Sequence, residues 1–193
     1  MPIKRVHLIP DHYYHIYNKA VTDNLLFNEE KNYRFFISKI QEYLPDTAKV
    51  LAYCLMPNHY HLIVQIKNCD FPSSMRRLAL SYVVAYNNFY DRKGHLFSGR
   101  YQRKHVEDLR YLLHLSRHIH LNPVKAKLVT KAEEWKYSSY REFIGLTRPV
   151  FVNQSIILEL INDYQTSTLS NLQSDYKEFV EDWDFEYMSF KVK

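Results

Sequence analysis

The stretch from Val50 to Lys67, VLAYCLMPNHYHLIVQIK, decides the fold. Val50 to Met56 is continuously apolar, which is typical of a central strand that is covered on both faces. Pro57-Asn58 is a turn signal, and the residues from His59 to Lys67 alternate in character as they do in a half-buried strand. Two such strands joined by a short turn predict a β-hairpin.

The sequence on either side of this hairpin predicts the remaining elements. A first strand is expected at Tyr13–Asn18, a helix from Glu29 to about Leu44, a helix that opens at Pro72–Ser74 and runs to about Tyr90, a strand within His95–Val106, and a helix from Asp108 to about Leu121. Asn122-Pro123 is expected to end that last helix. The order β-α-β-β-α-β-α favours an α+β fold, with helices packed on a ferredoxin-like antiparallel sheet.

Length and composition exclude several classes of protein. The chain has 193 residues, which fits one domain or one domain with an extension. Its 3 glycines are too few and too scattered for a dinucleotide-binding fingerprint, and its 2 cysteines make no disulfide framework. No segment approaches the length of a membrane-spanning helix. We therefore expect a cytoplasmic protein with no membrane partner.

Charge divides the chain into two parts. Residues 1–149 hold 23 basic and 13 acidic side chains, whereas residues 150–193 hold 3 basic and 8 acidic side chains. We interpret them as a basic body and an acidic, helical C-terminal extension. A basic body suggests a polyanionic partner, although an unevenly charged surface is the alternative. The 17 tyrosines and 11 phenylalanines suit stacking on unpaired bases, although most of these rings must belong to the core.

Two groups of polar residues are candidates for a metal site. His59 and His61, at i and i+2 on a strand, leave the same face of the sheet and can hold a divalent cation, although a structural pair is the alternative. His114, His118 and Asn122, at i, i+4 and i+8, share roughly one helix face. The Asn122 carbonyl oxygen suits Mg²⁺ or Mn²⁺. The same residue could instead only terminate the helix.

Four separated motifs resemble one known family. They are PNHYHLIV at 57–64, GHLFSGRY at 94–101, HLNPVKA at 120–126 and WKYSSY at 135–140. In their order and spacing the chain resembles the single-tyrosine HUH transposases, and within them the REP-associated tyrosine transposases. The resemblance covers about residues 10–145.

The resemblance implies a site and a reaction. It implies that His59, His61 and Asn122 hold Mg²⁺ or Mn²⁺, which polarises a scissile phosphate in single-stranded or hairpin DNA. A tyrosine on the last helix of the basic body then forms a 5′-phosphotyrosyl link and releases a 3′-hydroxyl. Attack by another 3′-hydroxyl rejoins the strands. The family includes monomers and dimers, so a homodimer is possible.

The chain departs from this family at the nucleophile. The tyrosine is expected four residues before Asn122, where the chain has His118. Three alternatives remain open. In the first, cleavage is lost and DNA binding is kept. In the second, Tyr111, seven residues earlier, replaces the missing tyrosine. In the third, His118 itself acts as nucleophile, base or extra metal ligand. Together with His114, His118 could shift the site toward Zn²⁺.

Clustered basic residues predict the DNA contacts. Arg100, Arg103 and Lys104 lie in a segment without acids, and Arg76 and Arg77 open the long helix. Arg117 and Lys125 flank the candidate site and complete the predicted set; a solvated surface is the alternative for all of them. The leading hypothesis is a metal-dependent DNA strand transferase, and the second is a non-catalytic DNA-binding protein of the same fold. A hydrolase of small phosphoesters fits the basic body and the aromatic content less well.

Overall fold

An antiparallel sheet forms the centre of the molecule. The computed structural model describes residues 8–22, 24–164 and 171–182, and within them four strands form one sheet. The strands are β1 (Tyr13–Lys19), β2 (Ala48–Met56), β3 (His59–Ile66) and β4 (Gln102–Val106), in the spatial order β2-β3-β1-β4. In the central hairpin Met56 pairs with His59, so Pro57-Asn58 forms the predicted turn. The predicted α+β, ferredoxin-like sheet is confirmed.

Helices cover both faces of this sheet. They are α1 (Glu30–Tyr43), α2 (Phe71–Phe89), α3 (Leu109–Lys125), α4 (Tyr140–Phe143), α5 (Ser155–Tyr164) and α6 (Leu172–Glu181). Helices α1 and α2 pack on the face that carries Tyr60, where the Phe36 ring lies 5.0 Å from the Tyr60 ring and 5.0 Å from the Tyr82 ring. Helix α3 lies on the opposite face. Over the part of the chain that is described, no helix is long and apolar enough to cross a membrane.

Helix α3 does not end where the sequence predicts. It continues through Pro123 to Lys125. Pro123 removes one backbone donor, but the Ala126 N–H still donates to the Asn122 carbonyl and the Leu128 N–H to the Pro123 carbonyl, both at 2.9 Å. These bonds keep the last turn closed. The expectation that Asn122-Pro123 terminates the helix was therefore wrong, and Asn122 stands inside the last turn.

Helices α5 and α6 belong to the predicted acidic extension, and both pack against α3. The buried His120 ring of α3 is 2.8 Å from the Tyr176 hydroxyl and 2.8 Å from the Ser139 hydroxyl. The Tyr176 hydroxyl also donates to Ser116 at 2.8 Å. A buried hydrogen-bond network thus joins α6 to the helix that carries His118 and Asn122. Residues 165–170 and 183–193 of the predicted extension lie outside the described residues.

Candidate active site

One face of the sheet carries histidines from two adjacent strands. His59 and His61 of β3 point away from the side of the buried Tyr60, as their spacing predicts. In β1, Tyr17 pairs directly with His61, and His15 lies two residues away on the same face. The structure thus adds His15 to the predicted pair.

Hydrogen bonds orient both predicted ligands. The Nδ1 atom of His59 is 2.7 Å from Asn58 Oδ1, and the Nδ1 atom of His61 is 2.9 Å from His15 Nε2. The His59 and His61 rings are 5.0 Å apart. A ring N–H donated to such a partner fixes the tautomer and leaves the other nitrogen for a ligand. His59 therefore presents its Nε2 lone pair, and His61 does so when its Nδ1 proton is donated to His15.

The environment keeps these imidazoles neutral. Burial lowers the pKa of His61 well below its ordinary value, and His15, His59 and His118 lower it further. Burial also lowers the pKa of His59. Burial, together with His118 and Lys104, lowers the pKa of His15 to about 4. Near pH 7 the cluster is uncharged, which is the form of histidine that binds metals.

Helix α3 supplies the other half of the site. His118 is close enough to His15 and His61 to affect the pKa of both. The amide nitrogen of Asn122, one turn farther along, donates to the His118 carbonyl at 3.2 Å. This bond uses the nitrogen of the Asn122 side chain and leaves its oxygen available, as a third ligand requires.

The contact with Lys125 favours one tautomer of His118. The Lys125 Nζ atom lies 3.4 Å from His118 Nδ1. Burial, and then Lys125, lower the pKa of His118 to about 4, while burial and then Arg117 lower the pKa of Lys125 to about 8. A neutral ring that accepts a hydrogen bond at Nδ1 carries its proton on Nε2. In this tautomer the Nε2 atom of His118 is a hydrogen-bond donor.

Tyr111, the predicted substitute nucleophile, is held at the contact between α3 and β4. The Lys104 Nζ atom donates to its hydroxyl at 3.3 Å and lies 5.1 Å from the centre of its ring. Lys104 is the cross-strand partner of His15. Tyr111 thus lies on the face of the sheet that carries His15, His59 and His61, which we call the histidine face. Its hydroxyl already has a partner in Lys104.

The predicted DNA contacts divide into two groups. Lys104 and Lys125 lie beside the histidines, where the exposed Lys19, the cross-strand partner of His59, joins them. The other predicted residues lie elsewhere. Arg76 is exposed on α2, Arg100 is exposed before β4, and Arg77 stacks on Tyr43. Arg103 pairs with Ile16 on the α1–α2 side of the sheet, and Arg117 contacts Phe179 and the Asp182 carbonyl. The structure therefore brings two of the seven predicted residues to the site.

The elements that build the site contain no acid. None of the four strands includes Asp or Glu, and neither does α3. Such a surface does not repel a polyanion. It also restricts any metal ligands to neutral imidazoles and amides.

Two imidazoles and one amide oxygen are chemically suitable ligands for a divalent ion. Across the described ranges, no three His, Cys, Asp or Glu side chains are grouped so that they could hold a metal, and the Asn122 side chain lies one helical turn from His118. His114 does not join them, because its ring packs against Phe179 of α6 at 5.5 Å.

Sequence reasoning missed His15, Tyr17 and Lys19. Their signal is the pairing of β1 with β3, because residues opposite or diagonal to a ligand on the next strand share its face. That pairing register is set by the turn and the core. It was not evident from residue spacing alone.

Comparisons with known proteins agree with this architecture. The model of a transposase family described as IS200-like matches residues 8–122. A solved structure of a REP-associated tyrosine transposase bound to a REP hairpin is similar, with a TM-score of 0.65 and 18% sequence identity. The match covers 81% of this chain and 93% of that one. No curated protein matches.

Proposed function

We propose that this chain, which belongs to the IS200-like transposase family, binds single-stranded or hairpin DNA and cleaves and rejoins one strand at the histidine face. The observation that carries the proposal is the acid-free face on which two oriented, neutral imidazoles lie opposite α3. The hairpin in the similar solved structure supports a structured single strand as the substrate.

Charge supports DNA binding at this face. Lys19, Lys104 and Lys125 surround the histidines, and no carboxylate of the strands or of α3 opposes them. Lysines that contact phosphates release condensed counterions, which provides much of the affinity for DNA.

His59, His61 and the Asn122 oxygen would hold Mg²⁺ or Mn²⁺, and His114, whose ring packs against Phe179, is not included among the ligands. The bound ion supplies Lewis-acid polarisation of the phosphate. Because the three ligands are neutral, they do not reduce the attraction of the site for a phosphodiester. Lys104 and Lys125 orient the phosphate oxygens, and the Nε2–H of His118 donates to one of them.

The tautomer of His118 favours this donor role over the alternatives from the sequence. A nitrogen that carries a proton has no lone pair with which to attack phosphorus or bind a metal. The contact with Lys125 occupies the other ring nitrogen.

A non-catalytic DNA-binding protein is the second candidate. The specific observation in its favour is the histidine at the family's tyrosine position. In that case the histidine face binds DNA without breaking it.

Cleavage of an end-labelled hairpin oligonucleotide with single-stranded flanks, resolved on a denaturing gel, tests the proposal. We expect product with Mn²⁺ or Mg²⁺, and none after chelation or in His59→Ala. His12→Ala is the matched control, because His12 pairs with His105 outside the site. Binding without product under all metals would establish the second candidate, and absence of binding would overturn both.

A further inference from the structure

Tyr17 is the tyrosine that pairs directly with a predicted metal ligand. It lies opposite His61 across β1 and β3, so both side chains rise from the same face. Its ring centre is 6.0 Å from that of His61 and 4.9 Å from that of His15. Directly opposed residues are the closest side-chain neighbours in an antiparallel sheet. A phosphate seated over His59 and His61 would therefore lie beside the Tyr17 ring.

The Tyr17 hydroxyl is available to a substrate. The side chain is 37% exposed, and no hydrogen bond to its hydroxyl is found within residues 8–22, 24–164 and 171–182. Lys19, two residues along the same strand face, is exposed beside His59. The Tyr17 ring lies beside His61 and a positive charge lies beside His59.

Other tyrosines are less suitable. Five are completely or almost completely buried in the core: Tyr14, Tyr60, Tyr82, Tyr140 and Tyr176. Tyr111 reaches the histidine face, but its hydroxyl accepts a hydrogen bond from Lys104. Tyr17 combines exposure, contact with the histidines and a hydroxyl for which no hydrogen bond is found among the described residues.

We propose that Tyr17 is the nucleophile of strand transfer in place of the helix tyrosine, an inference that rests on the proposed function. The Tyr17 oxygen forms a bond to phosphorus as the bond from phosphorus to the 3′-oxygen of the preceding nucleotide breaks. The departing oxygen takes the electron pair of that bond and a proton from water, and the phenol proton passes to water. The products are a 5′-phosphotyrosine at Tyr17 and a free 3′-hydroxyl.

The position on β1 favours this step physically. β1 is hydrogen-bonded on both sides, to β3 and to β4, so the Tyr17 backbone is fixed relative to His61. A nucleophile held in place avoids part of the entropic cost of bringing the two reacting groups together. The same geometry explains how His118 can serve as a donor to the phosphate while a different residue attacks.

Covalent trapping tests the inference. The full chain is incubated with Mn²⁺ and a hairpin oligonucleotide with single-stranded flanks, and the adduct is resolved on a denaturing gel and mapped by proteolysis and mass spectrometry. We expect the nucleotide on the peptide that contains Tyr17, in a linkage that survives acid. Tyr17→Phe should reduce the adduct to below about 1% of wild type while DNA binding is kept. Tyr90→Phe, which removes a tyrosine hydroxyl that donates to Glu29 on the α1–α2 side of the sheet, is the matched control and should leave the adduct unchanged.

Three outcomes would overturn the inference. They are an adduct that persists in Tyr17→Phe, an acid-labile adduct that maps to His118, and cleavage by the wild type without any adduct. In all three DNA is still bound and cut, so the proposed function stands. A wild type that binds no DNA would remove the proposed function itself.

Discussion

Lys125 contacts His118 and, after burial, is the second cause that lowers the pKa of this histidine. Lys125→Met removes a positive charge 3.4 Å from His118 Nδ1. The pKa of His118 should therefore rise from about 4, but it should stay below its ordinary value because burial is the larger cause. Histidine NMR titration measures the change. Lys49→Met, which removes an exposed lysine of β2, is the control, and a fall in the His118 pKa would contradict the proposed contact.

Glu142 gives a separate prediction for stability. Its side chain is 7% exposed, and burial raises its pKa from 4.5 to about 7. Because the folded-state pKa is the higher one, the folded chain binds the extra proton. This contribution to stability is complete below pH 4.5 and is lost as the pH rises toward 7.

Replacing this carboxyl should stabilise the fold at alkaline pH. We expect Glu142→Gln to raise the free energy of unfolding at pH 8 by about 1–3 kcal/mol and to have less effect at pH 4. Urea unfolding at both pH values measures this difference. Glu178→Gln, at an exposed position of α6, is the control. A loss of stability at pH 8 would mean that the ionised carboxylate is stabilised by partners in the fold.

At the scale of elements, hairpin and helix periodicity predicted more of the fold than of the site. The apolar run of β2, the turn at Pro57-Asn58 and the alternation of β3 depend on local chemistry, and all are confirmed. The end of α3 was not predicted, because Pro123 removes a single donor while neighbouring bonds keep the turn closed. His15 and Tyr17 reach the site only through the pairing of β1 with β3. That pairing brings together residues more than 40 positions apart.

One buried hydroxyl links α6 to α3 through hydrogen bonds. Tyr176 is fully buried, and its hydroxyl is bonded to His120 and Ser116. Tyr176→Phe leaves both partners without this bond inside the core, so we expect a loss of about 1–3 kcal/mol in the free energy of unfolding. Chemical denaturation of the full chain measures it. Tyr17→Phe, which removes an exposed hydroxyl, should stay within about 0.5 kcal/mol of wild type, and equal losses in the two variants would refute the network.

At the scale of the whole molecule, the chain separates its charges. Residues 1–149 carry a net charge of +10 and residues 150–193 a net charge of −5. The acidic helices α5 and α6 pack on α3, whereas the histidine face between α3 and the sheet has only basic charged side chains of its own. Attraction of DNA should therefore depend on this face rather than on the total charge.

The salt dependence of DNA binding distinguishes attraction by the histidine face from attraction by the total charge of the chain. The logarithm of the binding constant should fall linearly with the logarithm of salt concentration, with a slope of about −0.7 per phosphate contact on a single strand. If Lys19 and Lys104 each contact a phosphate, Lys19→Ala and Lys104→Ala should each reduce the slope by about 0.7. Lys49→Ala removes the same charge at the far end of β2 and should leave the slope unchanged. Anisotropy titrations from low to moderate salt measure all four proteins, and equal slopes would show that DNA responds to net charge and binds away from the histidines.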